Sequence, residues 1–178
     1  MKIKAIFGLG NPGRRYSNTY HNVGSLFIDN LLRNYDSESV KKYNQEYSVI
    51  NIGEKKIMLV KPYIKDEFMN DSGIYIKSLM KLAKLKSAEI LVVHDDSDFP
   101  LGKYRHSFGK ASAGHKGVQS IIDTLRTKTF HRIRVGIRKR PGKALDFVLK
   151  EIPKKDMAIL DDIFEAIRIH LEKELQSD

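Results

Sequence analysis

The side chains of this sequence best suited to moving protons are a few histidines and carboxylates set in polar loops. His21 ends a long stretch of turn-forming residues that begins Gly8-Leu9-Gly10-Asn11-Pro12-Gly13. Imidazole titrates closest to neutrality of all side chains, so it can both accept and return a proton. Asn11, Tyr16, Asn18 and Asn22 surround His21 in sequence and offer polar contacts of several kinds. A second group is His94-Asp95-Asp96-Ser97-Asp98. Two chemistries fit it. Asp95, Asp96 and Asp98 can hold a hard cation, which wants clustered carboxylates. Alternatively, one aspartate bonds one ring nitrogen of a histidine, fixing the tautomer and leaving the other nitrogen free to take a proton. No H-E-x-x-H pattern and no second carboxylate cluster accompanies the metal reading. A covalent nucleophile is not expected, since the chain has no cysteine and no G-x-S-x-G elbow.

Three further motifs suggest binding. Gly8 to Gly13 matches G-x-G-x-x-G directly after a strand. A dinucleotide site would also need a helix opening at these glycines and an acid at the end of a second strand. Residues 14–19 lack helical periodicity and Asp29 falls inside a predicted helix, so a loop presenting Asn11 is the better reading. Phe68-Met69-Asn70-Asp71-Ser72-Gly73 reads as a helix start, with Asn70 or Ser72 as cap. Ser112-Ala113-Gly114-His115-Lys116-Gly117 is a small-residue loop entering a helix, where free N–H groups can bind an anion or a carbonyl oxygen. Basic residues crowd 103–143, among them Lys103, Arg105, Lys116, Arg132, Arg134 and Arg138, and Asp123 is the only acid in that window. Such an imbalance favours contact with phosphates. Aromatic residues are sparse there, so base stacking is not indicated.

The elements that must position these groups follow from periodicity. Residues 3–9 read as a buried strand, and a helix capped by Asn22 carries Val23, Leu26, Phe27 and Leu31 on one face. Residues 43–52 and 56–61 form a strand pair turning at Gly53-Glu54. A helix runs from Asn70 or Ser72 to Leu85, and a central strand from Glu89 to His94 ends in the acidic cluster. A short strand over 101–107 precedes a helix over 115–126. Along 130–138, Ile133, Val135 and Ile137 face one way and Arg132, Arg134 and Arg138 the other. An amphipathic helix over 154–175 closes the chain. Alternating strands and helices with an inserted hairpin predict a single-domain α/β sandwich, its mixed, mostly parallel central sheet flanked by helices. His21 then sits on a loop leaving the C-terminal edge of a strand, where open α/β sheets place their sites.

Composition narrows the setting. The chain has 178 residues, 41% of them hydrophobic, enough for one core. The absence of cysteine fits a reducing, cytoplasmic environment. No apolar run is long enough to span a membrane, and Met1 to Phe7 meets glycine too soon for a signal peptide. A formal net charge of +10 favours an anionic partner.

In order and spacing, five segments resemble the bacterial-type peptidyl-tRNA hydrolase family: GLGNPGRRYSNTYHNVG at 8–24, FMNDSG at 68–73, HDDSDFPLGK at 94–103, SAGHKG at 112–117 and FHRIRVGIRK at 130–139. The resemblance spans nearly the whole chain. It implies a monomeric, metal-free and cofactor-free esterase acting on peptidyl-tRNA at its acceptor stem and CCA end. His21 matches the family's catalytic base, Asp95 the carboxylate supporting it, and Asn11 the asparagine recognising N-blocked peptides. Tyr16, Phe68 and Asn70 match positions that contact the tRNA end or the peptide, and Arg134 a basic position on the phosphate-contacting side. Three departures stand out. Lys116 replaces the asparagine of a G-H-N-G pattern and is expected to contact the 3′-terminal nucleotides instead. The segment 63–67 is longer than usual. Ser107 stands where relatives often carry a basic residue, so phosphate contact falls to Lys103 and Arg105. The competing expectation is a non-catalytic RNA-binding relative with the same fold.

Overall fold

The computed structural model describes residues 1–42, 45–61, 71–139 and 147–176. Its seven strands are β1 (Ala5–Gly8), β2 (Ser37–Lys42), β3 (Gln45–Ile52), β4 (Lys55–Val60), β5 (Ile90–Pro100), β6 (Tyr104–Phe108) and β7 (His131–Arg138). The helices are α1 (Val23–Asn34), α2 (Ser72–Leu82), α3 (Lys116–Leu125) and α4 (Lys154–Gln176), with a 3-10 turn over Tyr20–Asn22. The sheet order is β2-β3-β4-β1-β5-β7-β6. β4, β1, β5 and β7 run parallel at its centre, and antiparallel strands finish both margins. The predicted α/β sandwich is the fold observed.

Two apolar layers follow from strand alternation. Ile6 of β1, Leu91 and Val93 of β5, and Ile133, Val135 and Ile137 of β7 pack with Phe27 and Leu31 of α1 and Leu160, Phe164 and Ile167 of α4. Ala5, Phe7, Ile90 and Val92 pack on the opposite face with Ile76 and Leu79 of α2 and Val118 and Ile121 of α3. Every residue of β1 is buried, as a strand covered on both faces requires.

Five expectations change. α2 has Asp71 rather than Ser72 in the cap position, with no side-chain cap bond, and ends at Leu82 rather than Leu85. Periodicity does not foresee β2: Ser-Glu-Ser-Val-Lys-Lys carries no apolar face, and this margin strand pairs only with β3. β5 does not stop at His94. It continues through the aspartates to Pro100, because its backbone stays paired with β7 from Leu91 to Asp96 and again at Pro100. The register breaks between those points, where a Cβ on Gly136 would lie 2.1 Å from the Pro100 carbonyl oxygen. β6 begins at Tyr104 rather than at 101, after a turn in which Gly102 takes φ 86°. The Asn22 side chain does not cap α1 but serves the neighbouring loop. The segment 63–67, Phe68 and Asn70 lie outside the described residues.

The first turn of α1 lies directly on strand backbone. A Cβ on Gly24 would stand 2.2 Å from the Val93 carbonyl oxygen and 2.5 Å from the Leu9 nitrogen. This approach holds His21 close to Asp95 in the middle of β5. Backbone atoms cannot yield as a flexible side chain can, so Gly24→Ala is expected to destabilise the protein by at least about 1–3 kcal/mol. Denaturant unfolding of the two proteins measures the difference; equal midpoints would contradict this packing.

Candidate active site

The site forms where β1 ends, beside the middle of the longer β5. After β1, the loop returns its backbone to the sheet. Leu9 N donates to Val93 O at 2.9 Å, and Ser25 N to Leu9 O at 2.9 Å. Asn22 then staples the loop. Its Oδ1 accepts from Asn11 N at 2.9 Å and its Nδ2 donates to Asn11 O at 3.0 Å. These bonds hold the backbone of Asn11 while its side chain lines the cavity.

His21 stands on the 3-10 turn and is held from the C-terminal side of the chain. Its N–H donates to Val148 O at 2.8 Å, Ile152 N donates to Asn18 O at 2.9 Å, and Thr19 bridges Glu151. The Tyr20 hydroxyl donates to Asp156 of α4, which also pairs with Lys139 at 2.6 Å. The His21 ring donates from Nδ1 to Asp95 Oδ1 at 2.9 Å, since an ionised carboxylate only accepts. Its basic lone pair therefore resides on Nε2.

The same carboxylate oxygen accepts a second imidazole. His115 Nε2 lies 3.0 Å from Asp95 Oδ1. His115 Nδ1 accepts from Val118 N at 3.3 Å, capping α3. The proton of its neutral ring is therefore on Nε2 and points at Asp95. A third ring, His94, donates from Nδ1 to the Asp95 carbonyl at 2.7 Å and meets the His115 ring edge-on at 4.7 Å.

Electrostatics follow from this packing. Asp95 is 4% exposed. Burial alone would push its pKa up, but the two imidazoles of His21 and His115, each donating an N–H to it, hold it well below the usual carboxylate range. Burial works against protonating His21, yet the charge and hydrogen bond of Asp95 prevail and raise its pKa above the ordinary imidazole value. Burial and the neighbouring His115 push His94 well below that value, so it is neutral.

These groups open on a cavity of about 480 Å³ lined by Asn11, His21, His94, Asp95, Asp96 and Ser97, by 112–116, and by Val148 and Leu149. Of the site residues expected from sequence, the structure brings Asn11, His21, Asp95 and Lys116 together here. Tyr16 lies outside the lining, its carbonyl accepting from Thr19 and the Arg15 guanidinium 5.7 Å from its ring. Lys103, Arg105 and Arg134 lie beyond the cavity at the β6–β7 margin. Lys103 and Arg105 are exposed, while Arg134 is bonded to Asp96. Phe99 gathers both arginines, with guanidinium carbons 4.5 Å (Arg105) and 5.0 Å (Arg134) from its ring centroid, a cation–π arrangement.

Sequence reasoning misses His115 and His94. His115 sits inside a motif read for its free N–H groups, yet one of those, Val118 N, is taken by His115 itself. The available signal is that His94 adjoins the acidic cluster and that His115 stands at a helix start. The aspartates also divide their labour. Asp96 engages Arg134 and Asp98 engages Arg138, while Asp95 meets the two imidazoles.

Comparison with known proteins agrees with this architecture. The family model described as peptidyl-tRNA hydrolase matches residues 5–178. A peptidyl-tRNA hydrolase of Syntrophomonas wolfei is 39% identical over 164 residues, 92% of this chain and 88% of that protein. One of Persephonella marina is 41% identical over 169 residues, 90% and 85% of the two chains. The crystal structure of an Acinetobacter baumannii peptidyl-tRNA hydrolase aligns with a TM-score of 0.86 at 28% identity, covering 99% of this chain and 91% of that one. A Campylobacter jejuni 5′-methylthioadenosine/S-adenosyl homocysteine nucleosidase, 10% identical with a TM-score of 0.58, shares the fold alone. With its whole sheet and both helical layers inside the matched region, the chain belongs to the peptidyl-tRNA hydrolase family.

Proposed function

We propose that this protein hydrolyses the ester joining a peptide to the terminal ribose of tRNA, with neutral His21 as general base. The observation that carries this reading is a histidine whose Nδ1 is fixed by a buried aspartate and whose Nε2 is left basic at a cavity wall. Nε2 removes a proton from a water, and the oxygen attacks the ester carbonyl carbon. The tetrahedral intermediate collapses with cleavage of the bond to the ribose oxygen. The imidazolium returns its proton to that oxygen, leaving tRNA with a free hydroxyl and a peptide carboxylic acid, which loses its remaining proton to solvent. Asp95 stabilises the imidazolium in between.

Asn11 holds the blocked peptide backbone. Lys116, the one Lys or Arg of the cavity lining among the described residues, receives the 3′-terminal nucleotides. Tyr16, Phe68 and Asn70 complete the contacts with the tRNA end and the peptide. Lys103, Arg105 and Arg134 face the acceptor-stem phosphates. The protein works as a monomer in the cytoplasm; among the described residues no helix is long and apolar enough to cross a membrane.

The reaction needs no metal. The ligand atoms of His21, Asp95 and His115 lie within 4.8 Å of one another, a spacing that resembles a metal site. However, His115 Nδ1 already accepts the Val118 N–H, so Nε2 carries a proton and has no lone pair to give a cation.

His21→Ala is expected to lower turnover of an N-acetylated aminoacyl-tRNA by at least ~10²-fold while leaving tRNA affinity near wild type. Turnover close to wild type would sink the assignment. EDTA should leave the rate unchanged; loss restored by a divalent ion would revive a metal reading. The pH profile has a definite sign. The base works only when neutral, and its pKa is raised, so kcat/KM should fall on the acid side with a midpoint above 6.5. Asp95→Asn removes the charge that raises it. The acid limb should then move to lower pH even as the maximal rate drops, and an unmoved limb would place the titration on another group.

A further inference from the structure

Arg132 belongs by sequence to the basic stripe of β7, yet it is 1% exposed, among the largest side chains sealed in the protein. Among the described residues no carboxylate pairs with it. Asp96, whose charge it feels, is bonded to Arg134. Among those same residues Arg132 Nε and Nη1 find no hydrogen-bond partner, nor does the hydroxyl of Ser107, its register partner on β6. Burying a guanidinium with two unpartnered nitrogens, three N–H groups in all, and no paired carboxylate among the described residues is costly. A phosphate could not reach it without opening the core.

The bonds Arg132 does make all lie in one place. Nη2 donates to Lys110 O at 2.8 Å and to Ala111 O at 2.9 Å. These carbonyls begin the segment that forms the cavity wall. Ala113 there takes φ 52° and Gly114 φ 81°. A non-glycine residue in that region must be held by its surroundings. At the far end Ser112 Oγ donates to Gln119 at 2.6 Å, and His115 N donates to Ser112 O at 3.1 Å. His115 then donates to Asp95. A continuous path runs from the Arg132 fork through the wall to the carboxylate that orients His21.

We infer that Arg132 is a positioning residue of the active site and not a phosphate contact. Its guanidinium fixes the start of the 110–115 wall so that His115 keeps its hold on Asp95. This rests on the hydrolase reading above.

The test compares full-length wild type, Arg132→Met and Arg132→Lys. Methionine removes the donors while avoiding an unpaired buried charge; lysine restores a donor for the two carbonyls. Steady-state hydrolysis of an N-acetylated aminoacyl-tRNA is measured across pH and salt, with amide hydrogen exchange over 108–118. In Arg132→Met, kcat should fall roughly 10- to 100-fold, since small displacements of catalytic groups are that costly. KM and its salt dependence should stay at wild-type values. Exchange over 110–115 should speed up. The acid limb of the rate should move to higher pH, because an Asp95 released by His115 acts on His21 alone. Arg132→Lys should recover part of kcat and of the protection. A raised KM with weaker salt dependence at unchanged kcat would overturn the inference in favour of phosphate contact. Wild-type kcat and exchange in Arg132→Met would overturn it outright. If the methionine variant does not fold, kcat and exchange in Arg132→Lys decide, and wild-type values of both would refute it. If wild type itself releases no peptide, the hydrolase reading fails, while exchange over 110–115 still judges the anchoring.

Discussion

A carboxylate buried to 4% exposure stays ionised only if its neighbours supply what water would, and Asp95 depends on two imidazole N–H groups meeting at one of its oxygens. The arrangement determines much else. It sets the tautomer of His21 and with it the atom that can act as a base. It uses the N–H of His115 whose opposite nitrogen caps α3, so the helix and the carboxylate share one ring. His94 adds a bond to the Asp95 main chain and, being neutral, brings no competing charge.

The rest of the fold brings these groups from distant parts of the chain. His21 and Asp95 lie 74 residues apart, and Asp95 and His115 lie 20 apart. The parallel pairing of β1 with β5 sets the two loop ends side by side. Gly24 lets α1 approach the backbone closely enough for His21 to reach Asp95 within β5. Backbone bonds from 148 and 152, together with the Tyr20–Asp156 contact, tie the turn that carries His21 to the C-terminal part of the chain. His21 is thus held from both ends of the sequence, which fixes its imidazole within hydrogen-bond reach of the Asp95 carboxylate.

The β7 arginines show how far a single alternating pattern can divide in use. Arg132 is buried and holds loop carbonyls, Arg134 neutralises Asp96 while lying over Phe99, and Arg138 reaches Ser97 and Asp98. Each is spaced to face away from Ile133, Val135 and Ile137, yet none is a bare solvent-facing cation. Two of the aspartates that looked like a cation site are bonded to these arginines. The local charges of β5 and β7 thus largely cancel across the register, leaving exposed Lys103 and Arg105 to face solvent.

Much was determined by the sequence itself. Apolar alternation and helical stripes located β1, β3, β4, β7 and all four helices, because burial on one face imposes a period that a single chain displays. The loop chemistry of 8–22 drew attention to His21, and the acids after His94 to a cluster in which only the family resemblance singled out Asp95. What the sequence could not display is anything whose partner is remote. β2 has no apolar face and exists only because β3 offers it a margin. β5 runs past His94 because β7 keeps its backbone bonded through residues that look like a turn. Asn22 reads as a helix cap, but the Asn11 backbone claims its side chain. Arg132 reads as a surface cation, but its register position lies under the 110–115 wall. His115 reads as one residue in a glycine-containing loop until Asp95 is beside it. In each case the decisive term is a hydrogen bond or ion pair whose energy depends on distance and angle, and only the tertiary structure sets those.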